Sequence, residues 1–454
     1  MQGFEKLSPP DETIVAISTP PGRSGIGVVR LSGRDATDIL CVLFRSKAAV
    51  KDRLATYGKV LTAEAEHIDD VIATTYKAPN SYTGEDVVEI SAHGNPVVLD
   101  RIVDLAVAAG ARRASPGEFT LRAVAAGKMD LAQAEAVRDF IEAQTQTQAR
   151  YALLQMEGSL AKQVSPLKES LVGIVAELEA GIDFAEDDVP VPDGAQVAGR
   201  IQPISKALAE LEQSFKYGRL IADGYCLAIA GKPNVGKSSV FNRLTAINRA
   251  IVTEVPGTTR DVLTETVELG GIPIRFADTA GVRETSDRVE SIGVSRTLEA
   301  LAETDLALAV LDGSQPLDDD DHEVLSRVES LPHIVVINKQ DLPACWQPRG
   351  KTKGVAISAK TGVGLDQLRT AILDRIEGAV DAERFVVTNA RQHAAISLAC
   401  ERLANTENAL KRSVPHEVVL LDLYSALALL GELTGEVATE DVLGQIFSTF
   451  CVGK

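Results

Sequence analysis

The sequence predicts a chain of mixed α/β and α class: an N-terminal α+β part, a helical part built from middle and C-terminal segments, and a parallel α/β module inserted between them. Three observations predict it. Short apolar runs separated by turns fill residues 13–111. Apolar positions recur at helical spacing over 116–220 and again toward the C-terminus. Strands and helices alternate over 223–377, as in a parallel α/β sheet. Neither helical flank reads as an independent domain, and insertion of a module is tolerated where its ends lie close together.

Taken in order, TIVAIS, GIGVVRLS, DVIATTY and DVVEIS read as strands, with helices expected at Ala36–Leu43 and Pro96–Ala109. Pro20, Pro21, Gly22, Gly25 and Gly27 mark a shaped turn. Ser115-Pro116-Gly117-Glu118 has capping-box spacing with proline at the first helical position. Asp130 and Gln133 are placed to cap a further helix, on which Val137, Phe140 and Ile141 share a face. Leu171, Ile174, Val175, Leu178 and Ile182 form another apolar stripe, and DFAEDDVPVPDG breaks the pattern as a loop. Leu420, Leu423, Leu427 and Leu430 resume the helical period after the α/β module.

Composition narrows the function classes. The 454 residues carry 64 acidic and 46 basic side chains, a net charge of −18, with 45% hydrophobic and 24% charged residues. Such a chain has real cores and is not intrinsically disordered. A generally basic nucleic-acid coat is excluded, so any nucleic-acid role rests on a local patch or on a partner. Cys41, Cys226, Cys345, Cys400 and Cys451 form neither a disulfide framework nor a C-x-x-C zinc ribbon, and a reducing cytosol is the expected compartment. The N-terminus does not read as a signal peptide and no stretch reads as a membrane span.

The chemistry is concentrated in the α/β module. Gly231-Lys-Pro-Asn-Val-Gly236-Lys237-Ser238 matches G-x-x-x-x-G-K-S between an apolar strand and an amphipathic helix. In that context backbone N–H groups and the helix N-terminus cradle phosphates, Lys237 reaches the β- and γ-phosphates, and Ser238 holds Mg²⁺. Asp278-Thr279-Ala280-Gly281 follows the strand IPIRFA and suits Mg²⁺ and the γ-phosphate. Asn338-Lys339-Gln340-Asp341 follows HIVVI. A carboxylate such as Asp341 accepts the N1–H and 2-amino hydrogens of guanine, which adenine lacks, and so selects GTP. Ser358-Ala359-Lys360 completes a base pocket. Between the first two motifs lies Val255-Pro-Gly-Thr-Thr-Arg-Asp261, in which Thr259 is placed to complete Mg²⁺ coordination and sense the γ-phosphate. Where Ras-like enzymes carry a water-orienting glutamine, this chain has Val282. Hydrolysis must recruit another group, and Glu284, Asp287, Glu290, Arg283 and Arg288 are all available nearby.

With these motifs in hand, the chain resembles the MnmE (TrmE) family of tRNA modification GTPases. The likeness runs through GKPNVGKSS, VPGTTRD, DTAGVRETSDRVESIGVSR, TPPGRSGIGVVRLSG, PNSYTGED, HGNP, SPGEFT and the terminal FCVGK. The resemblance implies a tetrahydrofolate-binding-like dimerisation domain over 1–126 and a helical domain from 127–222 and 379–454. It implies a Ras-like P-loop G domain over 223–378. It implies a homodimer that forms a heterotetramer with the flavoprotein MnmG (GidA), which carries FAD. Together they would place aminomethyl or carboxymethylaminomethyl groups on C5 of wobble uridine, with 5-formyl- or methylene-tetrahydrofolate as one-carbon source.

Residue by residue, the resemblance assigns a nucleotide-contacting set. It comprises Asn234, Val235, Gly236, Lys237, Ser238 and Ser239; Thr253, Glu254, Val255, Pro256, Gly257, Thr258 and Thr259; Asp278 to Gly281; Asn338, Lys339 and Asp341; and Ser358, Ala359 and Lys360. Ser238 and Thr259 hold Mg²⁺; Asn234, Thr253, Val255 and Thr258 hold K⁺, whose charge acts where other GTPases use an arginine finger. Glu290 matches the catalytic glutamate. Arg30, Glu89, Lys128 and Lys454 fall on the folate positions, and Cys451 is either a thiol that approaches the chemistry or a seat for the tail. The acidic balance leaves tRNA to be held mostly by the complex, in the cytoplasm and away from membranes.

Overall fold

The structure is a computed structural model. It describes residues 12–183, 192–245, 266–277, 304–346, 350, 353–376, 386–412, 414–435 and 440–453. The chain forms two compact units, one from 1–138, 153–209 and 394–454, the other from 139–152 and 210–393.

The first unit opens with β1 (Ile14–Ile17), β2 (Ser24–Ser32), α1 (Ala36–Leu43), β3 (Phe44–Arg45), β4 (Thr56–Leu61), β5 (His67–Tyr76), β6 (Val87–Gly94), α2 (Pro96–Ala108) and β7 (Arg112–Arg113). The strands make a seven-stranded sheet in the order β3-β4-β5-β6-β2-β1-β7, antiparallel except for the β1–β7 pair. Alternation decides which face each residue takes. Val29, Leu31, Val88 and Ile90 enter a core shared with Ile39 and Leu40 of α1 and Leu99, Ile102 and Val103 of α2. Arg30 and Glu89 therefore point to the opposite face. Both predicted helices form, and Asn95 caps α2 by accepting from Val97 N at 3.1 Å, with Pro96 at the first position.

After α3 (Glu118–Ala125) come α4 (Leu131–Glu142), α5 (Gln146–Met156), α6 (Ser159–Asp183) and α7 (Gly194–Asp223). The expected capping box at Ser115 is only half made. Glu118 Oε2 accepts from Ser115 N at 2.8 Å, but the helix starts after Gly117, whose φ of 67° no β-carbon-bearing residue takes easily. Pro116 instead bridges Val452, and a side chain on Gly117 would strike Phe447 at 2.9 Å. Tertiary contact with the C-terminus overrides the local signal. The Asp130–Gln133 box is complete, at 2.7 and 2.9 Å. On α4, Leu131 and Ala134 are buried with Leu121, Val124, Leu443, Phe447 and Phe450, whereas Phe140 and Ile141 in its last turn are exposed. Leu171, Ile174, Val175 and Leu178 are buried on α6, as the stripe predicts.

The second unit carries β8 (Tyr225–Ala230), α8 (Lys237–Thr245), β9 (Thr266–Leu269), β10 (Ile272–Phe276), β11 (Leu306–Asp312), α9 (Asp319–Val328), β12 (His333–Asn338), β13 (Val355–Ala356) and α10 (Leu365–Ile376). Its sheet order is β13-β12-β11-β8-β10-β9, parallel except for β9–β10. All seven residues of β11 are buried, which a strand flanked by parallel neighbours and covered on both faces requires. The chain ends with α11 (Ala390–Lys411), α12 (His416–Leu433) and α13 (Glu440–Ser448). In the first unit α12 packs along α6, with Leu420, Leu423 and Leu430 buried. Among the described residues no helix is long and apolar enough to cross a membrane.

Candidate functional site

The phosphate loop runs from the end of β8 into α8, and its shape is set by close approaches. A β-carbon on Gly231 would lie 2.6 Å from Val310 O, and one on Gly236 2.3 Å from Asn338 Nδ2. Asn234 and Gly236 take positive φ, 63° and 99°. Val235 is buried, and its carbonyl accepts from Asn338 Nδ2 at 2.9 Å, which ties the loop to the guanine motif. Lys237 Nζ donates to the carbonyls of Gly231 and Lys232 at 2.9 and 3.0 Å. Ser238 and Ser239 stand exposed in the first turn of α8, where helix N–H groups and the helix dipole favour an anion.

The base pocket is assembled from the C-terminal ends of β12 and β13, where parallel sheets place their ligands. Asn338 Oδ1 accepts from Ala359 N at 3.0 Å, and Ser358 Oγ donates to Asp341 Oδ1 at 2.7 Å. Lys360 Nζ stands 4.0 Å from Asp341 Oδ2. Donation from Ser358 holds the Asp341 carboxyl below its ordinary value, with the Lys360 and Lys339 charges adding to it. Lys339, at φ 66°, pairs with Asp312 Oδ2 at 2.7 Å. Burial would raise Asp312, but bonds from Lys339 and Ser314 outweigh it and lower the carboxyl. The sequence-predicted Asn338, Lys339, Asp341, Ser358, Ala359 and Lys360 are thus brought together with Asn234 to Ser239. The loop Thr253 to Thr259, Asp278 to Gly281, Val282 and Glu290 lie outside the described residues.

Three contributors were not predicted. Arg243 on α8 donates to Ala359 O at 2.9 Å and Lys360 O at 2.7 Å, and so holds the pocket loop from the phosphate-side helix. Asp312 anchors Lys339, and Lys232 pairs with Asp318 and Asp321. Only Asp312 had a visible signal, a carboxylate closing the apolar run LALAVL.

A second candidate site lies on the sheet face of the first unit opposite α1 and α2. Arg30 and Glu89 are cross-strand partners in the β2–β6 register. Arg30 Nη2 and Nε donate to Glu89 Oε1 at 2.7 and 3.1 Å. Tyr76 Oη stands 3.5 Å from Glu89 Oε2, and the Arg30 guanidinium lies over the rings of Tyr82 and Phe119 at 5.6 and 5.8 Å. The aromatic lining was not predicted, because its members come from three separate segments. Lys128 lies beside the turn at Gly84, where a β-carbon would sit 3.4 Å from its Cε.

The wall behind this site is ionic. Glu118, which burial would push up, is held down by its bond from Arg112 and by Ser115 N and Arg122. Arg122 also reaches Glu85, which accepts from Ser32. The C-terminal tail docks on the same domain: Ser18 Oγ donates to Gly453 O at 3.0 Å, and Gly117 N to Cys451 O at 3.4 Å. A β-carbon on Gly453 would fall 2.3 Å from Ile17 O, so the tail sits directly on backbone. Cys451 is exposed, and Lys454 lies outside the described residues.

Two family models and full-length relatives cover nearly the whole chain. A family model described as the GTP-binding protein TrmE N-terminus matches residues 13–128, and one described as the MnmE helical domain matches residues 131–451. The chain is 47% identical over 451 residues to a protein of Koribacter versatilis named tRNA modification GTPase MnmE, covering 98% of this chain and 99% of that one. It is 44% identical over 446 residues to the protein of the same name from Aquifex aeolicus, covering 98% and 100%. Among solved structures, the G domain of the T. maritima FeoB iron transporter aligns at 23% identity with a TM-score of 0.24, covering 34% of this chain and 99% of that one.

Proposed function

This chain belongs to the MnmE family of tRNA modification GTPases, and on that premise we propose that it is a potassium-activated GTPase acting with the flavoprotein MnmG (GidA). The pair adds a carboxymethylaminomethyl or aminomethyl group to C5 of wobble uridine in certain tRNAs. The observation that carries the nucleotide reading is the joined pocket, in which Asn338 bonds both the phosphate loop and the Ser358-Ala359-Lys360 loop while Ser358 aims Asp341. An ionised Asp341 accepts two guanine N–H donors, and an adenine there would leave it unpaired.

Ser238 and Thr259 would hold Mg²⁺, and Asn234, Thr253, Val255 and Thr258 would hold K⁺. The oxygen donors of these residues suit hard cations, and Asn234 is exposed on the loop. When bound, the two ions would supply positive charge that offsets the negative charge building on the phosphates in the transition state. Lys237 and the α8 N-terminus orient the phosphates, and Glu290 positions the attacking water in place of the glutamine that Val282 replaces.

For the first unit, the reading is a reduced-folate site built from Arg30, Glu89, Lys128 and Lys454. Its support is a carboxylate and a ring-lined wall on one sheet face, which fit a flat heterocycle with paired N–H donors. The folate supplies the one-carbon unit when bound, and FAD belongs to the partner. The bonds from Ser18 to Gly453 O and from Gly117 N to Cys451 O support a seating role for Cys451. The proposed organisation is a G domain over 223–378 inserted in a helical domain of 127–222 and 379–454, with 1–126 making a homodimer that joins MnmG as a heterotetramer. The −18 charge leaves tRNA to be held mainly by the complex, in the cytoplasm. Hydrolysis measured in KCl and in NaCl at matched ionic strength tests the potassium claim: KCl accelerates turnover, and Glu290→Ala abolishes it while nucleotide still binds. Equal rates in the two salts contradict it.

A further inference from the structure

The phosphate loop is held from outside by a contact that its motif does not require. Lys232, the second residue of the loop, sends its ammonium to two carboxylates, 2.6 Å from Asp318 Oδ2 and 2.7 Å from Asp321 Oδ2. These are the N-cap and third residue of α9, and they already cap each other. Asp321 N donates to Asp318 Oδ1 at 3.1 Å and Asp318 N to Asp321 Oδ2 at 3.2 Å. The two backbone N–H groups of the capping box are therefore paired without the lysine. The Lys232 side chain is 11% exposed and that of Asp321 2%, so water screens the pair little.

The main chain of the same residue faces the motif lysine, Lys237. Lys232 O accepts from Lys237 Nζ at 3.0 Å, beside Gly231 O at 2.9 Å. Gly231 is itself wedged against Val310 O. One residue thus joins two anchor points: its side chain is fixed on α9 and its carbonyl on the lysine that reaches the β- and γ-phosphates. Burial disfavours the Lys232 charge, but the two aspartates more than offset it and raise its pKa, so the clamp is ionic at neutral pH.

We propose that Lys232 is a positioning residue for nucleotide binding: gripped by Asp318 and Asp321, it fixes the entry of the phosphate loop and the carbonyl frame that presents Lys237. The inference rests on the nucleotide site described above and adds a residue to it. It also gives the acidic run Asp318–Asp321 a task. The alternative is that Lys232 merely neutralises two acids at a helix end, in which case nucleotide affinity does not depend on it.

The test is titration of the full chain with fluorescent mant-GDP and mant-GTP, alongside steady-state hydrolysis and thermal unfolding. Lys232→Met should raise Kd for both nucleotides and KM for GTP by roughly ten-fold, with kcat at saturation changed by less than about two-fold. Lys232→Arg should restore affinity to within about two-fold, because it keeps the charge and the reach. Asp321→Asn should weaken both nucleotides, and the double variant with Lys232→Met should be no worse than Lys232→Met alone. Wild-type affinity in Lys232→Met, or a kcat loss at unchanged KM, overturns the proposal. If Lys232→Met does not fold, Asp321→Asn decides: wild-type affinity overturns the clamp, and a higher Kd supports it. A wild-type chain that binds neither nucleotide overturns the site reading instead.

Discussion

Two carboxylates in this chain stand ready to accept a pair of N–H donors, and they are held differently. Asp341 takes a neutral hydroxyl, Ser358 Oγ, at 2.7 Å, with the Lys360 ammonium 4.0 Å away. Glu89 takes a guanidinium, with both Arg30 bonds on the one oxygen Oε1. The guanine pocket therefore keeps its negative charge for the ligand, while the second site arrives already charge-balanced and relies on the walls made by Tyr82 and Phe119. On the proposed reading, charge would select the base in one site, and shape and stacking the ring in the other.

The largest effect expected from that difference is at Asp341. Asp341→Asn swaps one acceptor for a donor and should weaken GTP by about 100-fold or more, with binding moved toward xanthosine triphosphate, whose 2-oxo group accepts from the new amide. Competitive titration of the two nucleotides measures it, and unchanged GTP preference breaks the comparison. A smaller effect is expected at the other carboxylate. Glu89→Gln and Arg30→Met should each weaken 5-formyl-tetrahydrofolate by roughly ten-fold, and the double variant should lose no more than either, because the pair acts as a unit. Calorimetric titration that gives additive losses would show instead two independent ligand contacts.

The smallest effect concerns stability and pH. The Glu118 carboxyl lies below its ordinary 4.5 when folded, so the folded state binds fewer protons than the unfolded one. The stability it contributes is complete above about pH 4.5 and is lost as pH falls toward and through the lowered folded value. Glu118→Gln should therefore lower Tm at pH 7 and flatten the fall of Tm below pH 4.5, since Arg112 and Arg122 lose their charged partner at every pH. A variant with the wild-type slope places the acid sensitivity elsewhere.

What was legible in the sequence follows the same division. The guanine pocket is readable because each part is a short motif at the end of a strand, and a parallel sheet carries strand ends to one edge. The Arg30–Glu89 pair is 59 residues apart, and alternation with Val88 and Ile90 marks Glu89 only as a residue of the second face. Tyr82 and Phe119 reach that face from a turn and a helix, with no shared spacing to announce them. Helices with strong internal periodicity, such as 416–433, were visible, whereas the start of α3 was not, because Pro116 pairs with Val452 and Gly117, the N-cap, is held against Phe447. Lys232 reads as one more polar loop residue until the fold brings Asp318 and Asp321 to it.

The most direct measurement of the central claim is mass spectrometry of wobble uridines in tRNA from a strain that lacks this protein, with and without the chain restored. The C5 aminomethyl and carboxymethylaminomethyl groups should disappear, return with the wild-type chain, and stay absent with Asp341→Asn. Wobble uridines that remain modified in the strain lacking the protein would contradict it.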